Sequence, residues 1–172
     1  MSHTSETKEQ AFEALIEKAL VGSTIKERKA LGITAKDVDA QQPAANQYYW
    51  GVPGDFKYKQ NEDWAIDMRR LMSFLHATQQ DILDTYVGRT PLERAIPERI
   101  SKDIETFGII KVLREGIKVE NIALKLWYPK PSPADAKENM LLFQQNQFSV
   151  TRQQTYSRLK PGDEIDMVLY VN

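Results

Sequence analysis

The chain has 172 residues, of which 41% are hydrophobic and 27% are charged, a composition typical of one globular domain. It contains no cysteine and only two histidines, which excludes disulfide scaffolds, zinc fingers and thiol catalysis. The net charge of −1 by itself argues against a dedicated nucleic-acid-binding module, and neither a membrane span nor a signal peptide is present, so we expect a soluble, cytoplasmic protein.

The first helix is predicted to begin at Thr7, which can form a capping box with Gln10, and to end at Gly22. Two glutamates, Glu13 and Glu17, lie beside the apolar stripe of this helix, and a solvated helix flank is the ordinary interpretation of such residues. The stripe itself predicts the buried face, which consists of Phe12, Leu15, Ile16, Ala19 and Leu20.

Residues 23–60 are predicted to be irregular with one short helix, because prolines and glycines interrupt every longer periodicity. The run Tyr48-Tyr49-Trp50 suits a hydrophobic plug under a loop or, alternatively, stacking on nucleic-acid bases. A helix capped by Asn61 follows, and a second short helix covers Gln79–Tyr86. His76 ends an apolar stripe, which favours a surface or capping histidine over a catalytic one.

The next helix has a strong start signal in Thr90-Pro91-Leu92-Glu93, and Pro97 is expected to kink or split it. The apolar period then changes to two. This change predicts two strands, Ile109–Arg114 and Asn121–Tyr128, around a turn at Glu115-Gly116.

A helix from Ser132 to about Gln145 is predicted next, followed by a strand over Phe148–Tyr156. The last strand, Ile165–Val171, is apolar on both faces except at Asp166, which predicts a strand that is covered on both sides. Because the chain stops directly after this strand, we expect it to be a fragment of a longer protein.

The order of these elements predicts an α+β fold, in which helices flank a mixed β-sheet. We expect a single domain, with a mainly helical part over residues 1–107 and a hairpin, a helix and core strands over residues 108–172.

Asp166 is the most informative residue for chemistry. A carboxylate in a buried strand costs several kcal/mol unless it is paired, hydrogen-bonded or bound to a cation. It is therefore either a strand-end aspartate that reaches solvent or the preceding turn, or a ligand of Mg²⁺. Hydrolysis of a phosphodiester needs a second acidic ligand, and Glu13 or Glu17 could fold back towards Asp166 to supply one.

A second candidate region follows Asn139, because no acidic residue occurs between that position and Gly162. Polar donors and cations alternate there, which suits contacts with phosphate groups; an edge strand protected by charge is the alternative interpretation. The candidate residues of this region are Arg152, Gln153, Tyr156, Arg158 and Lys160.

Several blocks of the sequence resemble one family. The specific ones are Asn146-x-Phe148-x-Val150-Thr151-Arg152-Gln153-x-x-Tyr156 and Ile165-Asp166-Met167-Val168-Leu169-Tyr170-Val171-Asn172, and Phe12-Glu13-x-x-Ile16-x-x-x-Leu20 adds to them. With these blocks the chain resembles the amino-terminal region of the restriction (R, HsdR) subunit of type I restriction–modification enzymes. Residues 23–60 carry little of the resemblance.

The resemblance implies a PD-(D/E)xK nuclease domain that hydrolyses double-stranded DNA with Mg²⁺. Asp166 matches the first metal-binding aspartate of the family, and Glu13 is a candidate auxiliary carboxylate. Arg152, Gln153 and Tyr156 would contact the DNA backbone or support the site. The second acid and the lysine of the family follow on a further strand, so the core is incomplete here and we expect this chain alone to be inactive.

The resemblance also implies a longer parent protein with an ATP-driven motor, which assembles with methylation (M) and specificity (S) subunits. The alternative function is a non-catalytic interaction module, in which the helices over residues 61–107 dock the motor or these subunits. A stand-alone DNA-binding domain is disfavoured by the net charge of −1.

Overall fold

The computed structural model describes residues 3–33, 48–50, 64, 66–132, 137–155 and 164–172. Within these ranges, every helix is too short or too polar to cross a membrane. The chain is an α+β protein with two compact units. Unit 1 comprises Met1–Asp55 and Phe148–Tyr170, and unit 2 comprises Phe56–Gln147 and Val171–Asn172.

Helices and strands alternate irregularly along the chain. In chain order they are α1 (His3–Val21), α2 (Ile25–Ala30), β1 (Tyr49–Trp50), α3 (Met68–Leu83), α4 (Leu92–Phe107), α5 (Ile109–Glu115), β2 (Ile117–Val119), β3 (Ile122–Leu124), α6 (Lys137–Gln144), β4 (Phe148–Thr155) and β5 (Glu164–Val171).

Unit 1 combines the first two helices with a three-stranded sheet of order β1-β4-β5. Strand β1 runs parallel to β4, with Tyr49 opposite Ser149 and Trp50 opposite Val150. Helix α1 packs against β4, the central strand of this sheet. A helix on a sheet is the smallest arrangement that gives both elements a covered face.

Helix α1 begins earlier than predicted and ends where predicted. The helix begins at His3, so Thr7 lies inside it and the predicted capping box is wrong. Gly22 ends the helix as predicted: its φ is 84°, and its N–H donates to the Lys18 carbonyl at 2.9 Å.

The short helix predicted within residues 23–60 is present as α2, and it begins with a capping box. The Thr24 hydroxyl accepts from the backbone N–H of Glu27 at 3.2 Å, and the Glu27 carboxylate accepts from the N–H of Thr24 at 2.7 Å. Each side chain thereby satisfies a free donor of the first turn.

Helix α3 of unit 2 begins after Asp67, whose carboxylate accepts from the N–H of Arg70 at 2.9 Å. The predicted cap, Asn61, lies outside the described residues. The two helices that the sequence predicts here are both present within α3. The backbone leaves helical geometry at Gln79, where φ is −145° and ψ is 30°, and the helix kinks there.

Helix α4 continues across Pro97, so the predicted split does not occur. The strand predicted over Ile109–Arg114 is wrong, because this segment is helix α5. Gly108 and Gly116 flank α5 with φ of 81° each, which lets one short helix begin and end abruptly. The apolar run fitted both periods, and its length did not decide between them.

The hairpin of unit 2 lies later than predicted. Strands β2 and β3 are antiparallel, with Ile117 opposite Leu124 and Val119 opposite Ile122. The turn is formed by Glu120 and Asn121, and not by Glu115-Gly116 as predicted. Alternate residues of both strands are buried, as expected for a hairpin with one covered face.

The predicted strand Asn121–Tyr128 ends early, at Leu124, because side-chain amides form hydrogen bonds with the backbone groups that follow. The Gln79 amide bonds both the N–H and the carbonyl of Lys125, at 2.7 and 2.9 Å. The Asn146 amide bonds both groups of Tyr128 in the same way, at 3.0 and 2.7 Å. These bonds satisfy an extended segment that has no strand partner.

Strands β4 and β5 lie where the sequence predicts them, and the described part of the preceding helix, α6, spans Lys137–Gln144. The predicted burial of β5 is wrong. Ile165, Asp166, Leu169 and Val171 are all exposed in the described structure.

The apolar core of unit 2 lies between α3, α4, α5 and the hairpin. Phe74, Leu75 and Ile96 are fully buried at its centre. The other members of the core are Leu71, Leu83, Ile100, Val112, Ile117, Val119, Ile122, Leu124 and Leu126.

Candidate functional site

Three carboxylates from distant parts of the sequence meet in unit 1. Oxygen atoms of Glu9, Glu13 and Asp166 lie within 4.8 Å of one another. Glu9 and Glu13 belong to α1, and Asp166 is the third residue of β5. Glu9 and Asp166 are exposed, and Glu13 is half-buried. We call these three residues the acidic cluster.

Two members of the acidic cluster, Glu9 and Glu13, belong to a stripe of glutamates on α1. Glu9, Glu13 and Glu17 are spaced four residues apart and therefore share a helix face. Like charges at this spacing destabilise an isolated helix by a few tenths of a kcal/mol per pair. The stripe is therefore favourable only if cations lie opposite it.

Arg152 of β4 is the cation opposite the middle of this stripe. Its guanidinium forms a salt bridge with the Glu13 carboxylate and lies 3.5 Å from the Glu17 carboxylate. The guanidinium uses Nη2 for Glu13 and Nη1 for Glu17, so one planar group holds two carboxylates of α1. This arrangement fixes the rotamer of Glu13.

Glu17 forms the buried end of the stripe. Its side chain is 1% exposed and accepts hydrogen bonds from the Arg28 guanidinium and from the N–H of Ile25, the latter at 3.1 Å. Arg28 is also buried, and its Nη1 donates to the Ser23 carbonyl at 2.6 Å. The interpretation of Glu17 as a solvated flank is therefore wrong.

Trp50 of β1 covers the Arg28 guanidinium, whose carbon lies 4.1 Å from the ring centroid. Burial lowers the pKa of Arg28, while the negative charge of Glu17 opposes that shift. Glu13, Arg152, Glu17 and Arg28 form a chain of alternating charges from the half-buried edge of unit 1 to its interior. We call these four residues the ionic chain.

The apolar stripe predicted for α1 is wrong in part. Phe12 and Leu15 are exposed, whereas the glutamates of the same helix face β4. The reason is that β4 offers the guanidinium of Arg152 to the helix that packs on it, and Glu13 and Glu17 both contact that group. A charged helix face matches this surface better than an aromatic one.

Among the described residues, the remaining candidates are not members of the acidic cluster. Gln153 lies in β4, and Tyr156, Arg158 and Lys160 lie outside the described residues. The aromatic run is partly in β1, where Trp50 covers Arg28. The ring of Tyr48, just before β1, lies 5.5 Å from the ring of Phe148 at an interplanar angle of 48°. In unit 2, His76 is exposed and its Nδ1 lies 2.8 Å from the Gln80 side-chain oxygen.

Sequence reasoning missed Glu9, Arg28 and the burial of Glu17. One signal could have singled out the glutamates, because three glutamates at a spacing of four residues predict opposing cations. The cations themselves could not be chosen from sequence. Arg28 follows a helix end and a turn, and Arg152 lies in a strand far along the chain.

The acidic cluster fits a hard divalent cation in donor type. Mg²⁺ prefers carboxylate oxygens and retains several waters, and two exposed carboxylates leave room for those waters. One oxygen of Glu13 bonds Arg152, which leaves the second for a cation. Among the described residues, no cation pairs with Glu9 or Asp166.

Comparisons of the sequence with protein-family models and with curated proteins, and of the structure with solved structures, find no match.

Proposed function

We propose that this chain is part of a Mg²⁺-dependent nuclease for double-stranded DNA, of the kind found in the restriction subunits that its sequence resembles. The observation that carries the proposal is the meeting of Glu13 and Asp166, the two residues selected from sequence, in one acidic cluster with Glu9. In the complete protein, an ATP-driven motor and the methylation and specificity subunits would bring DNA to this site. The compartment that suits this function is the cytoplasm.

The residues of unit 1 have distinct parts in this proposal. Asp166, Glu13 and Glu9 would hold the metal ion. A bound Mg²⁺ supplies positive charge to a phosphate group that is undergoing hydrolysis. Arg152 orients Glu13, and Glu17 with Arg28 holds Arg152 in turn. Arg152 thus has a supporting role, because its guanidinium is engaged by two carboxylates of α1 and does not contact DNA in this proposal.

The charge of the cluster has a consequence for DNA binding. Three carboxylates repel the phosphates of DNA unless a cation offsets them. The net charge of −1 offers no compensating attraction over the rest of the chain. We therefore expect DNA binding at this site to require a divalent metal.

The proposal is tested first by metal binding to the 172-residue chain, with Mn²⁺ as a probe for Mg²⁺ and calorimetry as the measurement. We expect Asp166→Asn and Glu13→Gln each to weaken Mn²⁺ binding about tenfold or more, because each removes a charged ligand. Asp81→Asn, which removes an exposed carboxylate of α3, is the matched control and should bind Mn²⁺ like the wild type.

Cleavage is tested in the complete restriction complex, assembled with and without Asp166→Asn. The proposal predicts that Mg²⁺-dependent cleavage of double-stranded DNA is lost while ATP hydrolysis continues. A wild-type chain that binds no Mn²⁺ at millimolar concentration, or a complex that cleaves DNA without Asp166, would refute it.

A further inference from the structure

A separate feature of unit 2 lies at the corner between α4 and α5. Gly108 joins the two helices with φ of 81°, a conformation that glycine adopts without strain. Three large apolar side chains flank this corner: Phe107 is 53%, Ile109 is 55% and Ile110 is 61% exposed. Clustered exposed apolar residues of this size mark interaction surfaces, whereas single ones do not.

The corner has a cavity beside it. The cavity has a volume of about 170 Å³, and its lining combines apolar residues with charged residues of both signs: Phe107, Val112, Gly116, Arg99, Lys111, Lys118, Asp103 and Glu115. Val112 is buried in the core of unit 2, so the floor of the cavity is part of the packed interior. The Nζ of Lys111 lies 4.7 Å from the centroid of the Phe107 ring, so a bulky side chain that packs beside this ring would contact both an aromatic group and a cation.

The surroundings of the corner are basic. Residues 99–118 contain more basic than acidic side chains, although the whole chain carries a net charge of −1. Two of the acids are paired locally: Asp103 with Arg99 at 2.8 Å, and Glu115 with Lys111 at 4.0 Å.

The remaining basic residues have no ion pair within the described part of the chain. They are Lys102, Arg114 and Lys118. Arg114 lies one helical turn after Ile110, and Lys118 lines the cavity together with Phe107. The third acid of this segment, Glu105, is exposed and also has no ion pair there, so three unpaired bases and one unpaired acid leave a net charge of +2 around the exposed apolar residues. We call the exposed apolar residues and the unpaired bases the corner surface: Phe107, Ile109, Ile110, Lys102, Arg114 and Lys118.

We propose that the corner surface docks an acidic segment of a partner protein, which places a bulky apolar side chain against Phe107 and the cavity. The apolar residues would supply the buried contact, and the basic border would select partners with aspartate or glutamate beside that contact. DNA is a poorer occupant, because its phosphates would gain nothing from three exposed apolar side chains. The proposal does not depend on metal binding in unit 1.

The test uses the full chain, immobilised, and a displayed library of random peptides, each about 16 residues long, as the probe. We expect the selected peptides to carry acidic residues next to large apolar ones. The strongest of them, made synthetically, should bind Ile110→Ser and Lys118→Glu at least about tenfold more weakly than the wild type, since each change removes a contact of the proposed kind.

Matched controls lie elsewhere in unit 2. Ile82→Ser removes another exposed isoleucine and Lys130→Glu reverses another exposed lysine, and both variants should bind the peptide like the wild type. Because Ile110 and Lys118 are exposed, the two test variants should retain the wild-type circular dichroism spectrum.

Three results would overturn the proposal. The first is selection of peptides that lack acidic residues or that bind Ile110→Ser as well as the wild type. The second is displacement of the peptide by a short DNA duplex whose own binding depends on Lys118, which would make the corner a nucleic-acid surface. The third is a dimer in sedimentation that Ile110→Ser dissociates, which would make a second copy the occupant.

Discussion

The described residues of the two units differ in the side chains that they bury. Among the described residues, twelve of the thirteen buried hydrophobic side chains belong to unit 2, and Val150 alone belongs to unit 1. The buried side chains of unit 1 are otherwise polar or charged: Glu17, Arg28, Ser149 and Thr151.

This difference implies that the buried residues of unit 2 mainly stabilise the fold, whereas those of unit 1 mainly orient side chains. Burial of apolar surface contributes roughly 25 cal/mol per Å², so the core of unit 2 stabilises its fold directly. A buried salt bridge contributes little net stability, because the cost of removing its charges from water offsets their attraction. Its directional contacts do fix the orientation of side chains. The ionic chain of unit 1 is thus better suited to positioning the acidic cluster than to stabilising the fold.

The largest effect should follow a cavity in the apolar core. Phe74→Ala should lower the free energy of unfolding of unit 2 by about 4 kcal/mol, because Phe74 is fully buried among large neighbours. Hydrogen exchange of the β2–β3 amides measures this loss. Phe12→Ala is the matched control in unit 1, where an exposed ring should cost less than about 0.5 kcal/mol. Equal losses for the two rings would contradict the assigned core.

The next effect tests the ionic chain. Glu17→Leu leaves Arg28 and Arg152 without their shared carboxylate and should lower the free energy of unfolding of unit 1 by about 3 kcal/mol. Hydrogen exchange of the β4 amides reports it. The exposed pair of Glu98 with Arg94 provides the control, and Glu98→Leu should cost less than about 0.5 kcal/mol.

A double variant sharpens this comparison. Glu17→Leu with Arg28→Met replaces a buried pair by apolar side chains, so it should be more stable than Glu17→Leu alone. If the double variant is the less stable of the two, the ionic chain contributes net stability. The contrast between the two interiors would then be wrong.

The sequence predicted what depends on local signals. The Gly22 helix end, the helix of Leu92–Phe107 and the positions of β4 and β5 all follow from residues that are neighbours in the chain. It failed where one apolar run fits two periods and where distant residues decide. The run of Ile109–Glu115 fits a strand or a helix, and it forms a helix between two glycines with positive φ. The strand over Asn121–Tyr128 stops because amides from α3 and from Asn146 bond its backbone.

The candidate site shows the same division. Asp166 and Glu13 could be selected as carboxylates with a strand and a helix around them. Sequence could not show that Glu9 joins them, because the cluster depends on how α1 packs against the sheet. The apolar neighbours of Asp166 predict that it is buried. Both Asp166 and its neighbour Ile165 are exposed, so this prediction is wrong. Hydrophobicity in a strand does not say whether another element covers it.

A smaller effect is expected at Thr151, which is fully buried in β4. Its hydroxyl has no hydrogen-bond partner among the described protein atoms, and a buried hydroxyl without a partner costs about 1 to 3 kcal/mol. Thr151→Val keeps the shape and should raise the free energy of unfolding of unit 1 by about 1 kcal/mol. Thr155→Val in the same strand controls for strand propensity. A loss of stability in Thr151→Val would show that the hydroxyl has a partner, such as a buried water.

The smallest effect concerns an exposed carboxylate and contrasts with the buried one of the ionic chain. A hydrogen bond from Lys18, and then one from the Thr24 N–H, lower the pKa of Glu27 from 4.5 to about 2. Since the folded-state pKa lies below the unfolded value, the stabilisation is present above pH 4.5 and is lost as the pH falls towards about 2. Acid should therefore weaken the start of α2 in this window, as measured by hydrogen exchange of its first amides. Lys18→Ala removes the largest cause of the shift, so the acid transition should move to higher pH, and an unchanged transition would assign the low pKa to the capping box alone.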